Sequence, residues 1–135
     1  MNILFPLLIL FFAALLFLLA ALYFLLLLPR FRSPDCSALM GYFYAHRGFH
    51  NLEEGIPENS MKAFRLAVEK GYGIELDVQL SADGIPVVFH DNTLARMCGV
   101  DRRVRELTLA ELKALSLGDT EERIPTFQEF LEMVD

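Results

Sequence analysis

The chain has 135 residues, and twelve Lys and Arg against eighteen Asp and Glu give it a net charge of −6. This acidic balance excludes a typical nucleic-acid-binding protein, which needs a basic face. Of the first 28 residues, 26 are hydrophobic, whereas the remaining 107 hold every charged side chain and are 44% hydrophobic. The second value is ordinary for a globular domain, so the chain consists of one apolar segment and at most one domain.

The apolar segment is long enough to cross a membrane. Residues 3–28 carry no charge, and as a helix they extend about 39 Å, more than the roughly 30 Å hydrocarbon core of a bilayer. A cleaved signal peptide is the alternative, but it has a basic start, a shorter apolar stretch and a small-residue cleavage site. We therefore predict a transmembrane helix over 1–28, followed by a linker over 29–40.

The flanks of this segment predict its orientation. Arg30 and Arg32 lie just after the span, and no basic residue precedes it. The positive-inside rule then places the rest of the chain in the cytoplasm. We expect a single-pass protein of the cell membrane with its globular part, 41–135, on the cytoplasmic side.

The globular part begins with a predicted strand and a predicted helix. Gly41–Ala45 is a compact apolar stretch typical of a strand, and it ends at His46-Arg47-Gly48. Asn59 or Ser60 is predicted to cap a helix that runs to about Lys70. Its apolar stripe is expected to comprise Met61, Phe64, Ala67 and Val68. Two later helices are predicted from capping boxes, Thr108 with Glu111 and Thr126 with Glu129.

A hairpin is predicted in the middle of the domain. Residues 74–80 alternate strictly between apolar and polar, Asp83-Gly84 is a strong turn signal, and residues 85–90 form the returning strand. With a two-residue turn, Leu80 faces Val87, Val78 faces Phe89, and Asp77 faces His90. A shift by one residue would place His90 opposite Leu76 instead.

Two carboxylates on one face of this strand suggest a site. Glu75 and Asp77 would repel each other unless a positive group lies between them. Mg²⁺ or Ca²⁺ with oxygen ligands would serve, and a salt bridge to Arg47 is the structural alternative.

Two histidines and an arginine complete the candidate set. His46 ends the first predicted strand, and His90 ends the hairpin beside Asp77. The planar guanidinium of Arg47 can donate two parallel hydrogen bonds to phosphate oxygens. The alternative role of Arg47 is a surface ion pair with Glu53 or Glu54.

Short motifs in this order resemble those of the glycerophosphodiester phosphodiesterase family. The resemblance covers roughly residues 42–134. It is carried by His46-Arg47-Gly48, Pro57-Glu58-Asn59-Ser60, Glu75-Leu76-Asp77, His90-Asp91-Asn92-Thr93-Leu94 and Ile124-Pro125-Thr126-Phe127.

The resemblance implies an α/β fold of the TIM-barrel type and hydrolysis of glycerophosphodiesters to an alcohol and glycerol 3-phosphate, with lysophospholipids as substrates of some relatives. It implies that His46 and His90 act as general acid and base. It further implies that Glu75 and Asp77 bind a divalent metal, Mg²⁺ or Ca²⁺, and that Arg47 contacts the phosphate.

The chain departs from this family in one respect. A third acidic metal ligand of the family lies on a later barrel strand, which would follow Asp135, and a closed barrel typically needs about 200 residues or more. We therefore expect only the N-terminal part of a barrel, with little hydrolysis by residues 1–135 alone. Two alternatives remain open: a catalytically inactive membrane-anchored fragment, and a related phospholipase.

Overall fold

A computed structural model describes residues 3–27 and 35–135, which divide between a unit ending at Ala38 and a unit from Leu39 to Asp135. In the first unit, helix α1 (Leu4–Leu27) is apolar throughout and has no buried residue. Among the described residues, α1 is the one helix whose length and composition would allow it to cross a membrane. A signal sequence would meet the same two criteria. Residues 1–2 and the first half of the predicted linker, which includes Arg30 and Arg32, lie outside the described residues.

The second unit mixes short strands and helices. The strands are β1 (Tyr44–His46), β2 (Gly73–Glu75), β3 (Val78–Leu80) and β4 (Pro86–Val88). The helices are α2 (Met61–Glu69), α3 (Ala95–Cys98), α4 (Leu109–Lys113) and α5 (Phe127–Val134). Strands β1 and β2 pair in parallel, with α2 as the connection between them, and β3 pairs with β4 antiparallel in a separate sheet. This part of the chain is therefore α/β, as predicted.

Helix α2 begins as the sequence predicts, but its buried face differs. The Ser60 side chain accepts a hydrogen bond from the backbone N–H of Ala63, which satisfies one free donor of the first turn. Ala63, Phe64 and Ala67 are buried, whereas Val68 is 48% exposed. The prediction for Val68 is wrong because the next residue after Ala67 is turned about a quarter of a revolution away from the packed face.

The predicted continuous strand over residues 74–80 is wrong. The chain leaves the first sheet after Glu75 and enters the second at Val78, so Leu76 and Asp77 lie between two strands. Each segment pairs with a different partner, β2 with β1 and β3 with β4. The Asp77 carbonyl instead accepts a hydrogen bond from Phe89 N at 2.9 Å.

The predicted hairpin register is also wrong by one residue. The observed partners are Val78 with Val88, Gln79 with Val87, and Leu80 with Pro86. The loop has three residues, 82–84, and Gly84 adopts a φ of +78°. A three-residue loop with a left-handed final residue is a normal hairpin connection that also suits Asp-Gly. Continuing this register places His90 opposite Leu76, not Asp77.

The core lies between the hairpin and the segments that follow it. Its buried members are Val87, Phe89, Leu94, Met97, Val104, Leu107, Leu112, Leu117 and Ile124. Strand β4 is held on its other side by Val88 N, which donates to the Pro125 carbonyl at 2.8 Å. Phe64 of α2 packs edge-on against Phe130 of α5, with ring centroids 5.1 Å apart. The capping boxes predicted for α4 and α5 are both confirmed.

Gly48 is the glycine whose replacement we expect to cost the most stability. It has a φ of +84°, and a Cβ there would lie 2.8 Å from Ala63 Cβ. A left-handed alanine costs about 1–2 kcal/mol, and forced overlap typically adds about 1–3 kcal/mol. Gly48→Ala should lower the free energy of unfolding by about 3 kcal/mol in a denaturant titration. The matched control is Gly99→Ala, with a φ of +69° and open space, and it should lose about 1 kcal/mol. Equal losses would contradict the packing argument.

Candidate active site

The candidate site lies where the two parallel strands end. His46 and Glu75 are the last residues of β1 and β2 and are partners in the parallel register. Their side chains approach to 3.9 Å between His46 Nε2 and Glu75 Oε2, and both are largely exposed. The carboxyl ends of parallel strands are where α/β proteins gather reactive groups.

Arg47 follows β1 in a constrained conformation. Its φ is +56°, in the left-handed region that non-glycine residues rarely adopt. The backbone is fixed on both sides, since Arg47 N donates to the Glu75 carbonyl and Asn59 N donates to the Arg47 carbonyl, each at 2.9 Å. Strain of this kind persists where the surrounding structure enforces it, often at functional sites.

The Arg47 side chain lies between two carboxylates. Its Nη1 donates to Glu58 Oε1 at 3.0 Å, and its Nε is 3.5 Å from Asp77 Oδ2. That Nε atom is buried and has no hydrogen-bond partner among the described residues. The alternative considered above, a surface ion pair with Glu53 or Glu54, is wrong, because the Arg47 guanidinium pairs with Glu58 instead.

Asp77 is held beside Arg47 by a buried amide. Asn59 Nδ2 donates to Asp77 Oδ2 at 3.3 Å, and Asn59 is only 2% exposed. Its Oδ1 atom is buried and has no partner among the described residues. Asp77 therefore faces one positive group and one amide, while its carboxylate stays 30% exposed.

His90 joins this group indirectly. Its Nδ1 lies 2.7 Å from Asp91 Oδ1, and its side chain is 41% exposed. Within the described ranges it makes no ion pair with Glu75 or Asp77. A carboxylate on Nδ1 favours the tautomer that carries its proton on Nδ1, which leaves Nε2 as the exchangeable nitrogen.

Arg96 connects the two halves of the site. Its Nε and Nη2 donate to Asp91 at 2.7 and 3.0 Å, and its Nη2 and Nη1 donate to Glu58 at 2.6 and 3.1 Å. Both contacts are bidentate, which is the strongest arginine–carboxylate geometry. Charged groups of alternating sign thus run from Asp91, the partner of His90, through Arg96 and Glu58 to Arg47.

These contacts shift the proton affinities of the acids. Hydrogen bonds from Arg96 lower the pKa of Asp91 to about 2, against opposition from burial. Burial alone would raise the pKa of Glu58, but hydrogen bonds and charge from Arg96, and then from Arg47, hold it below its ordinary value. The hydrogen bonds from Asp91 and Glu58 raise the pKa of Arg96. Both acids are therefore ionised at neutral pH.

Asp91 should contribute to the loss of folding stability at low pH. A carboxyl whose pKa falls from 3.8 to about 2 on folding stabilises the fold above about pH 4, and this stabilisation is lost as the pH falls towards 2. The stability difference between wild type and Asp91→Asn should therefore shrink between pH 5 and pH 2 in denaturant titrations. Asp101→Asn, at an exposed residue, is the control and should show no such trend. A constant difference for Asp91→Asn would contradict the shifted pKa.

Two groups of side chains have ligand chemistry for a metal. Glu58, His90 and Asp91 each place one ligand atom within 4.8 Å of the others. The Arg96 guanidinium, however, already neutralises both carboxylates of that group. Glu75 and Asp77 are separated by one residue and their side chains are partly exposed, and carboxylate oxygens suit a hard divalent cation. Asp77 also lies beside an arginine, since its Oδ2 is 3.5 Å from Arg47 Nε, and this is the salt bridge given above as the structural alternative to a metal.

The structure brings four of the five predicted residues into direct contact, namely His46, Arg47, Glu75 and Asp77. His90 is connected to them through charged residues that the sequence analysis gave no role in the site. These are Glu58, Asp91 and Arg96. Glu58 and Asp91 lie inside the motifs given above, and this position in the sequence could have indicated that they belong to the site. The Arg96–Glu58 pair is separated by 38 residues, so local spacing carried no sign of it.

The chain is similar to known phosphodiesterases in sequence and structure. The model of the glycerophosphoryl diester phosphodiesterase family matches residues 46–135. A glycerophosphodiester phosphodiesterase from Caldanaerobacter subterraneus is 43% identical over 97 residues, which are 67% of this chain and 39% of that protein. The human glycerophosphodiester phosphodiesterase 1 is 36% identical over 94 residues, 63% of this chain and 28% of that protein.

Two solved structures of phosphodiesterases are also similar to this chain. The Thermotoga maritima glycerophosphodiester phosphodiesterase has 41% identity and a TM-score of 0.59, covering 70% of this chain and 39% of that one. An Oleispira antarctica phosphodiesterase in complex with the product sn-glycerol 3-phosphate has 37% identity and a TM-score of 0.64, covering 73% and 42%.

The chain belongs to the glycerophosphoryl diester phosphodiesterase family. It spans between 28% and 42% of the length of the relatives named above.

Proposed function

We propose that this chain is the N-terminal part of a membrane-anchored enzyme that hydrolyses glycerophosphodiesters to an alcohol and glycerol 3-phosphate. The barrel would be completed by strands beyond these residues. The membership of the family supports the reaction, and the product bound in the Oleispira antarctica relative supports the substrate class.

The observation that carries the proposal is the Arg47 side chain. Its Nε donor is buried without a hydrogen-bond partner among the described residues, 3.5 Å from Asp77, beside the ends of β1 and β2. An unpaired buried donor costs about 1–3 kcal/mol, and a phosphate oxygen would remove that cost. Guanidinium groups bind phosphate oxygens with charge-assisted hydrogen bonds, so Arg47 suits an anionic ester.

His46 and His90 supply the proton transfers. One accepts the proton of the attacking hydroxyl, from water or from the substrate, and the other protonates the departing alkoxide. The Asp91 carboxylate, 2.7 Å from His90 Nδ1, favours a proton on that nitrogen, so Nε2 would exchange the proton with the substrate. Arg96 fixes Asp91 in turn, which keeps the imidazole oriented.

Glu75 and Asp77 would hold a divalent cation, Mg²⁺ or Ca²⁺, which when bound supplies positive charge to phosphate oxygens. Asn59 orients Asp77 for this role through its amide hydrogen bond.

Hydrolysis of glycerophosphocholine tests the reaction. An enzyme carrying these 135 residues together with the strands that complete the barrel should release glycerol 3-phosphate and choline in equal amounts when Mg²⁺ or Ca²⁺ is present. Residues 1–135 alone should release little. Release of phosphocholine and glycerol instead, or no hydrolysis of any glycerophosphodiester by the complete enzyme, would refute the proposal.

The membrane anchor is a second part of the proposal. Cys36 is exposed and follows α1 by nine residues, whereas burial raises the pKa of Cys98 to about 11 and slows its reaction with maleimides. In intact cells, a membrane-impermeant maleimide should leave Cys36 unlabelled, and permeabilisation should expose it. The control is Cys36→Ser, which should label in neither state. Labelling of Cys36 in intact cells would reverse the topology, and recovery of the chain in the soluble fraction would exclude the anchor.

A further inference from the structure

A polar cavity of about 340 Å³ lies beside the loop that carries His90. Its lining comprises Gln79, Asn92, Thr93, Arg103 and Arg105. Two guanidinium groups, two amides and a hydroxyl therefore line the same cavity, and no acid is among these lining residues. This volume lies at the small end of the range for ligand sites in proteins.

The two arginines of the cavity have no acidic partner in the described part of the chain. No carboxylate oxygen there lies within 4.0 Å of the Arg103 or Arg105 guanidinium, whereas Arg47 and Arg96 are both paired. The neighbouring Glu106 is directed elsewhere, because its Oε2 accepts from the Arg103 backbone N–H at 3.1 Å. In a chain with net charge −6, two arginines that line one cavity and have no acidic partner among the described residues favour an external anion.

The arginine segment is held firmly on both sides. Val104, which lies between the two arginines, is fully buried, and its short 3₁₀ turn packs against β3. Leu94 N donates to the Arg102 carbonyl, and Ala82 N donates to the Leu107 carbonyl, each at 2.8 Å. The backbone is thus fixed before any ligand arrives, which reduces the entropy lost on binding.

The cavity shares a wall with the candidate active site. Gln79 Nε2 donates to the carbonyls of Phe89, His90 and Asp91, at 2.9, 3.2 and 2.9 Å. Asn92 follows Asp91 directly in the chain. A group bound in the cavity would therefore lie next to the backbone that positions His90.

We propose that this cavity is an anion subsite that receives a second phosphate, carried on the alcohol part of the glycerophosphodiester. The source of the anion rests on the proposed function, whereas the binding chemistry rests on the cavity alone. Arg103 and Arg105 would bind the phosphate oxygens, and the Asn92 and Thr93 side chains would donate the remaining hydrogen bonds. The substrates preferred would then be diesters with an acidic head group rather than a cationic one.

Phosphate binding tests the subsite without turnover. The full chain in a neutral detergent is titrated with inorganic phosphate while the backbone amide resonances of Asn92 and Thr93 are followed by NMR. These resonances should shift and saturate, and the double variant R103A/R105A should bind at least tenfold more weakly. The matched control is R65A, an exposed arginine on α2, which should bind within twofold of the wild type. If the double alanine variant loses its dispersed spectrum, R103K/R105K replaces it and should bind about threefold more weakly.

Unchanged phosphate binding by the double variant would overturn the subsite, as would an equal loss in R65A. A shift that appears only with phosphatidylglycerol nanodiscs and not with soluble phosphate would also overturn it. In the complete enzyme, R103A/R105A should lower kcat/KM at least tenfold for a diester with a second phosphate and less than twofold for glycerophosphocholine. Equal losses for both would contradict the specificity role. Because binding is measured without hydrolysis, failure of the subsite and failure of the proposed reaction give separate results.

Discussion

Replacing His90 by asparagine in the complete enzyme is expected to lower kcat about a hundredfold or more, with little change in KM. General acid or base groups typically contribute two to four orders of magnitude, and this loss falls on the chemical step. The fold should survive, since the His90 side chain is 41% exposed and its Nδ1 contacts Asp91 near the surface. His46→Asn should cause a loss of the same order, because its imidazole stands at the end of β1 beside Glu75.

The third histidine provides the control for these variants. His50 lies in an exposed loop and takes no part in the proposed reaction. His50→Asn should therefore keep kcat within about twofold of the wild type. A loss at His50 as large as that at His90, or full activity of His90→Asn, would contradict the acid–base assignment.

Asp77→Asn is expected to remove most of the activity and to weaken the binding of Mg²⁺ or Ca²⁺. The substitution preserves shape but removes one of two charges that attract a hard cation. The rate should fall about a hundredfold at low metal concentration and recover in part at saturating metal, because the defect lies in affinity. Calorimetry and the metal dependence of kcat would measure the two effects separately.

The matched control for Asp77 is Asp101→Asn, which removes the same charge from an exposed loop. It should leave both metal affinity and rate within twofold. Normal rates for Asp77→Asn at low Mg²⁺ or Ca²⁺ would show that Asp77 is not a ligand.

Local pattern predicted the helices more accurately than the strands. Ser60, Thr108 and Thr126 each bind the backbone N–H three residues on, so the start of the helix is encoded within a few neighbouring residues. No neighbouring residue marks the break between β2 and β3 in this way. Alternation continues through Leu76 and Asp77, and the strand divides because its halves pair with different distant segments.

The hairpin shows that one turn sequence is compatible with two different registers of strand pairing. Asp-Gly suits both a two-residue loop and a three-residue loop that ends in a left-handed glycine. The three-residue form is adopted with Ser81 N bonded to the Ile85 carbonyl at 3.0 Å, and every later partner shifts by one. The geometric argument that placed His90 opposite Asp77 therefore fails, and its pairing with His46 rests on the family resemblance and the Arg96 connection.

Most of the site was predictable because the chain itself places its residues at strand ends. His46 and Glu75 end adjacent parallel strands, and Arg47 follows directly. The supporting charges were not predictable, because the contact between Arg96 and Glu58 depends on the packing of two loops that are distant in sequence.

The location of a bound metal ion would show whether Glu75 and Asp77 form the metal site. Crystals of the chain grown with Mn²⁺ and glycerol 3-phosphate would be measured at the manganese absorption edge. Our account predicts an anomalous peak within about 2.5 Å of carboxylate oxygens of Glu75 and Asp77, with a phosphate oxygen beside it and Arg47 on the phosphate. It predicts no peak between Glu58, His90 and Asp91, where Arg96 already supplies the positive charge. A peak at that second position, with none at Glu75 and Asp77, would contradict the account.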